Sequence, residues 1–438
     1  MPDRYREPEA RRASMDDAFL PQRLQWAVAE ASRCLLCEDP PCQQGCLAGV
    51  DVKRFIRALK TRNLRGAVAT IREANFLVAT CGRVCPQGEL CEKRCSATGI
   101  ARPIAIGELQ RFVGETAIRE RIRPAFPEPR SRGEVAVIGA GPAGLAVAYY
   151  LRQEGVVVDL YERSALLGGV PGRVLPRFRL PRHVLEEELA FVIESGITVR
   201  QEEVRDFAGL AARYKAVFLG CGLGRPRGLP VPGADLAGVH QADELLERAN
   251  GPVEAPRWIG PTIVLGGGNT AIDASAVALR LGSSPVTIVY RRGEIEMPAW
   301  LEHRRFALDE GVELKFLRAP IEILGAEGRV AGVRFQACRL GPPDASGRAT
   351  AIPCADEFED LPAGQVVLAL GNDPDESWRA LGVEAGPSGP RVDAQTMETS
   401  RPGIFAGGDA VNGGATIVQA VADGRRAARA ILQRLGRP

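Results

Sequence analysis

Between positions 34 and 95 the chain concentrates eight of its eleven cysteines, spaced Cys34-x2-Cys37-x4-Cys42-x3-Cys46 and Cys81-x3-Cys85-x5-Cys91-x3-Cys95. Thiolates gathered in this way bind metal or carry electrons. An iron–sulfur cube takes about four converging thiolates, and loops with these spacings supply several at once. Zinc is the competing reading, but structural zinc sites favour two C-x2-C knuckles or a mixture of cysteine and histidine. Here the block holds one C-x2-C pair, and the three histidines, His183, His240 and His303, all lie outside it. Disulfides are disfavoured, because the N-terminus MPDRYREPEARRASMDDAFL has no apolar signal segment, which predicts a cytoplasmic, reducing location. The scattered Cys221, Cys338 and Cys354 read as small buried hydrophobes.

Glycines carry the second kind of chemistry. Gly139, Gly141 and Gly144, with Ala143 between, stand between the strand-like VAVI and a helical stretch. In this pattern the first glycine allows a tight turn, the second admits a pyrophosphate against the backbone, and the third lets helix and strand pack closely. Glu162 ends the next apolar run, VVVDLYE, where a carboxylate accepts the ribose hydroxyls of an adenine dinucleotide, and Gly169 follows in a second turn. A similar unit recurs as TIVLGGGNTAIDASAVALRLGSSPVTIVY, with Gly266, Gly268, Asn269 and Thr270 in the turn and Ala271 at the third glycine position. Its second strand ends in Arg291 and Arg292 instead of an acid. An arginine pair binds a 2′-phosphate by charge-assisted hydrogen bonds, so NADPH is expected there rather than NADH.

The elements needed to position these residues are legible in outline. VKRFIRALK and RGAVATIREAN place apolar residues at helical spacing, so the cysteines sit in loops between helices. RIRPAFPEPRSRG reads as a linker. Beyond it the chain alternates β-branched runs, glycine turns and amphipathic helices, the texture of parallel α/β units. The expected division is 1–125 for the helical cysteine domain, 131–255 and 371–438 for two halves of one nucleotide domain, and 256–370 for a second. The 438 residues carry a formal charge of +2, with charged residues at 25%. That balance predicts no nucleic-acid partner, and the absence of about 18 consecutive apolar residues predicts no membrane partner.

Together these stretches resemble one family over nearly the whole chain. It comprises the glutamate synthase small subunit, the electron-input half of dihydropyrimidine dehydrogenase and the large subunit of the NADH-dependent ferredoxin:NADP oxidoreductase. EASRCLLCEDPPCQQGC, CGRVCPQGELCEKRC, PIAIGELQRF, VIGAGPAGL, LPRFRLP, GGGNTAIDA, YRRGEIEMPA and FAGGDAVNGGATIVQA carry the likeness. The resemblance implies an α/β fold: an N-terminal α-helical domain with two 4Fe–4S clusters, then a glutathione reductase-like flavoprotein whose FAD domain is interrupted by an NAD(P)H domain. It implies Cys34, Cys37, Cys42 and Cys95 on one cluster, and Cys46, Cys85, Cys91 and Gln110 on the other, with Cys81 spare. Gly408 and Asp409 match residues that hold the FAD ribityl and pyrophosphate, and Thr416 to Val418 match the helix start near the flavin. Leu47 departs from the proline usual after the fourth cysteine.

Such a chain passes electrons from NADPH through FAD and the clusters. No nucleophile, triad or catalytic acid–base pair is expected. No segment remains for an FMN barrel or a substrate site, so a catalytic partner subunit containing FMN or iron–sulfur, and hence a hetero-oligomer, is implied. The dihydropyrimidine dehydrogenase type is the first expectation, with the glutamate synthase and ferredoxin:NADP oxidoreductase types as alternatives. A disulfide reductase would need a C-x2–4-C pair beside the flavin, and the glycine-flanked Cys221 has no such neighbour in sequence.

Overall fold

The computed structural model describes residues 4–251, 257–344 and 347–437. Six α-helices build the cysteine-bearing module: Leu24–Ser32, the short Pro41–Gln44, Val52–Lys60, Leu64–Arg72, Val78–Val84 and Ile106–Arg119. The two helices read from sequence periodicity are present, each begun by a side-chain cap. Asp51 accepts from Arg54 N–H, and Asn63 accepts from Gly66 N–H.

Two five-stranded parallel sheets follow. The first has the order Ile404–Ala406, Ala216–Leu219, Ser131–Ile138, Val156–Tyr161, Thr198–Arg200. The second has the order Val239–Gln241, Gln365–Leu368, Thr262–Leu265, Val286–Tyr290, Glu313–Phe316. In each sheet the strand before a glycine turn lies at the centre, and parallel strands buried on both faces explain the continuous apolar runs. The first sheet is completed by residues from both ends of the flavoprotein segment, so the second domain is an insertion. A short antiparallel pair, Leu223–Pro226 with Asn372–Pro374, forms its neck.

The insertion is larger than the expected 256–370. Val239–Gln241 already pairs with Gln365–Leu368, although it falls within the stretch assigned to the first nucleotide domain. The reason is topological: an edge strand and the helix Ala242–Ala249 precede the glycine-turn strand, and neither carries a motif. The expected boundary at 255/256 lies outside the described residues. An antiparallel three-stranded sheet (Arg318–Ala326, Arg329–Pro343, Ala349–Pro362) extends the insertion.

Residues 4–20 also depart from the expected plan. They run over the insertion and pack against its core through Tyr5, Met15 and Ala18. Ala18 N–H donates to Phe178 O at 2.8 Å, and Arg83 clasps Asp17 at 2.8 Å from the helical module.

Candidate functional site

The cysteine module is organised by close helix crossing. Helix Val78–Val84 meets helix Ile106–Arg119 where both carry glycine: a Cβ on Gly82 would lie 2.4 Å from Arg111 N, and one on Gly114 would lie 2.4 Å from Ala79 N. The contact places Gln110 beside the first turn of the shorter helix, where its Nε2 donates to Val78 O at 3.1 Å. That engages the amide nitrogen and leaves Oε1 as the end able to serve a metal. The N-terminus of the same helix is capped from the flavoprotein domain. Ala79 N–H and Thr80 N–H donate to the two carboxylate oxygens of Glu188 at 2.6 and 2.8 Å.

Cys34, Cys37, Cys42 and Cys95 line one pocket, with Lys53 at its wall. Ile104 N–H approaches Cys95 Sγ at 3.5 Å, the kind of amide-to-sulfur contact that tunes a cluster. Burial pushes the Cys42 thiol up to about 11, with Cys95 and Cys34 adding to it. Cys85 and Cys91 are pushed well above the ordinary thiol value by burial, and Cys46 adds to both. A Cβ on Gly45 would lie 3.1 Å from Cys91 Cα, so this glycine lets the loop bearing Cys46 lie on the one bearing Cys91. Among the described residues no three His, Cys, Asp or Glu side chains converge as one bare ion requires. The crowded thiols resist ionisation through burial and through each other. An iron core bound there would reverse that resistance, and the four thiols lining the pocket suit such a core. Cys81 adjoins the same set as Cys85: it raises Cys85 more than Cys46 does, and it is itself pushed up to about 12 by burial, with Asn75, Glu188 and Cys46 acting on it.

In the first nucleotide unit Gly139 has φ +96°, and a Cβ there would lie 2.3 Å from Gly220 O; one on Gly144 would lie 2.0 Å from Gly139 O. Gly141 faces Gly169, whose own Cβ would come within 2.9 Å of Gly141 Cα. The paired turns thus form a bare backbone cradle at the start of helix Pro142–Gln153, suited to a pyrophosphate. Glu162 reaches that turn: its two oxygens accept from Ala140 N–H at 2.8 Å and Ser164 N–H at 2.7 Å. Each oxygen keeps a second lone pair for a ribose hydroxyl. Gly408 N–H donates to Asp423 at 2.9 Å, and Asp409 accepts from Ala415 N–H at 3.0 Å. Thr416 caps helix Ile417–Arg434 by accepting from Gln419 N–H. Two expected contact residues, Ala143 and Val418, have their side chains buried in the domain core. Ala143 lies where Gly408 and Gly424 press on helix Pro142–Gln153, so any cofactor contact there falls to the backbone.

In the second unit a Cβ on Gly266 would lie 2.3 Å from Ala369 O, whereas Gly268 faces open space at the start of helix Asn269–Arg280. Thr270, the second residue of that helix, is partly exposed. Asn269 Oδ1 accepts from Trp300 N–H at 3.1 Å and meets His303 Nδ1 at 3.0 Å. The arginine pair is split: Arg291 is exposed, whereas Arg292 is buried and ion-paired with Asp344. Cys221, beside the first glycine turn, is pushed up to about 12 by burial, and all eleven cysteines are free thiols. A protonated thiol is a poor nucleophile, which disfavours disulfide exchange at Cys221.

Glu188, Asp423 and His303 escaped the motif reading, and Arg179, within the LPRFRLP stretch, was given no role. Glu188 and Asp423 stand in helices outside any motif, and only tertiary contact shows Glu188 holding two backbone amides and Asp423 holding one.

Residues 133–424 match the pyridine nucleotide–disulphide oxidoreductase family, and residues 11–122 match dihydropyrimidine dehydrogenase domain II, 4Fe–4S cluster. The chain is 34% identical to the glutamate synthase [NADPH] small chain of Halomonas elongata over 99% of its own length and 96% of that protein. It is 36% identical to the NAD-dependent dihydropyrimidine dehydrogenase subunit PreT of Escherichia coli over 92% of its own length and 93% of the relative. Mycobacterium tuberculosis FprA in complex with NADPH shares the fold at TM-score 0.58 and 20% identity, covering 69% of this chain and 84% of that one. The chain therefore belongs to the pyridine nucleotide–disulphide oxidoreductases, in the branch of NAD(P)H-dependent flavoproteins that carry an N-terminal 4Fe–4S module.

Proposed function

We propose that this chain is the electron-input subunit of a larger oxidoreductase, with the second nucleotide unit holding NADPH and the first holding FAD. In this reading Cys34, Cys37, Cys42 and Cys95 hold one cluster, and Cys46, Cys85, Cys91 and Gln110 hold the other. Bound at these sites, NADPH would supply a hydride, FAD would link two-electron to one-electron transfer, and the clusters would take single electrons. The protein's own part is to hold the glycine cradles open, orient the carboxylate of Glu162 and bring the thiol sets to the flavoprotein.

The observation that carries this reading is the asymmetry between the two thiol sets. Cys46 and Cys85 pack against the core that the helical module shares with the first nucleotide domain, whereas Cys34, Cys42 and Cys95, like Cys91 of the inner set, belong with the helical core. Arg425, on the helix begun by Thr416, donates to Ala48 O at 3.1 Å and ties that helix to the loop after Cys46. One set adjoins the flavin domain and the other lies further out, as an exit to a partner requires. The likeness to the glutamate synthase small chain and to PreT supports a partner subunit containing FMN or iron–sulfur, in the dihydropyrimidine dehydrogenase or glutamate synthase manner.

The test is composition with activity. Anaerobically purified chain is expected to hold about eight iron and eight sulfide. It should oxidise NADPH with an artificial dye, and should not reduce uracil or 2-oxoglutarate unaided. Stoichiometric zinc without sulfide would overturn the reading.

A further inference from the structure

Arg179 belongs to the segment Leu175–Pro181, which leaves the first nucleotide domain and buries Phe178 in the core of the second. Its guanidinium grips Asp273 of helix Asn269–Arg280 with two contacts, at 2.8 and 2.7 Å, and its Nη2 lies 3.0 Å from His303 Nε2. The other ring nitrogen, Nδ1, lies 3.0 Å from Asn269 Oδ1, which also accepts from Trp300 N–H at 3.1 Å. Both ends of this chain are obligate donors, which removes the usual ambiguity of amides and imidazoles. Trp300 N–H can only donate, so the atom facing it is the amide oxygen. His303 Nδ1 must then carry the proton, and Nε2 must present its lone pair to Arg179. A protonated ring could not accept from Arg179 and would face its positive charge. Burial and then Arg179 hold the imidazole neutral, far below its ordinary value. With Oδ1 held by two donors, the Asn269 amide presents Nδ2 as its free end at the opening of the helix, one residue after Gly268.

We infer that Arg179 and His303 are positioning residues that lock the Asn269 amide with its Nδ2 turned to donate to a pyrophosphate oxygen of the bound dinucleotide. The relay rests on the second unit's being the nicotinamide dinucleotide site. It goes beyond that reading, because it makes coenzyme grip depend on a residue of the other nucleotide domain.

The experiment uses the flavin- and cluster-loaded chain and two probes. NADP+ carries the pyrophosphate; adenosine 2′-phosphate carries the adenine end without it. His303→Met keeps the volume, cannot donate to Asn269 and offers Arg179 only a weak thioether acceptor. It should weaken NADP+ by about tenfold or more while leaving adenosine 2′-phosphate within about twofold, since one hydrogen bond to a charged group is at stake. Asn269→Ala should weaken NADP+ similarly. The double variant should lose no more than Asn269→Ala alone, because His303 acts through Asn269. Equal weakening of both probes, no weakening of NADP+, or additive losses would overturn the relay. Should His303→Met fail to accumulate with flavin, His303→Phe is measured in its place. Failure of both marks His303 as a folding residue and also overturns the relay. Wild-type chain that binds neither NADP+ nor NAD+ would instead overturn the function reading itself.

Discussion

Arg291 and Arg292 are neighbours in sequence and opposites in environment. Successive residues leaving a strand point to opposite sides, so only one of two adjacent arginines could face a ligand at the strand end. Arg292 turns inward to Asp344, and Arg291 stays exposed beside the second glycine turn. Arg291→Ala is therefore expected to weaken NADPH by about tenfold or more with little change for NADH, whereas Arg292→Ala should affect the two coenzymes alike. Equilibrium titration of each variant with both coenzymes decides this, and equal loss in Arg291→Ala removes that residue from 2′-phosphate recognition. Other positions were legible in sequence because their demands are local. Gly139 must take a positive φ and Gly266 must pass a carbonyl closely, so the motif alone locates them. The partners of Arg179 were not legible: Asp273 and His303 lie 94 and 124 residues further on. No spacing rule connects residues that meet only after two domains have docked.

At the scale of elements, the cysteine module depends on two helices approaching at backbone distance. Gly82 and Gly114 make that crossing possible, and any side chain there meets backbone rather than a flexible tip. Gly82→Ala should force the helices apart and destabilise the module by about 1–3 kcal/mol, the ordinary cost of overpacking. The displacement falls between Cys85, which ends one helix, and Gln110, which sits on the other. Iron and sulfide analysis should show the loss of about half of the iron, with flavin content unchanged. Full iron in the variant would show that the crossing does not hold Gln110 and Cys85 in place. The sequence revealed the helices Val52–Lys60 and Leu64–Arg72 through their alternation of apolar and polar residues. Helix Val78–Val84 gave no such signal because all its residues are buried, covered by Ile106–Arg119 and by Arg182–Glu194 of the next domain. The strand Val239–Gln241 was hidden for a related reason: a three-residue edge strand has too few positions to show a period.

Across the whole molecule, the helical module and the first nucleotide domain share one hydrophobic core. Phe76, Leu77, Ala79, Cys81 and Val84 pack with Tyr149, Leu185, Phe191 and Val421 in a single cluster, and Glu188 caps a module helix across the same boundary. A module joined in this way has no plane on which to slide, so the inner thiol set stays fixed relative to the flavin domain. The outer set lines its pocket with Lys53, and three of its thiols, Cys34, Cys42 and Cys95, pack against the helical core instead, which leaves that pocket as the face to show a partner. This arrangement separates two functions that a single variant can distinguish. Cys37→Ala removes one donor from the outer set, while Phe76, Glu188 and the glycine cradles remain in place. Reduction of the flavin band by NADPH, followed by rapid mixing, should keep nearly its wild-type rate, because it needs only the two nucleotide units. Electron delivery to the reconstituted partner should fall by about a hundredfold or more, consistent with the penalty of losing a positioned donor at a metal centre. Thermal melting of the variant checks that the module still folds. If the partner is reduced at the wild-type rate, electrons leave by another surface and the outer thiol set is not the exit.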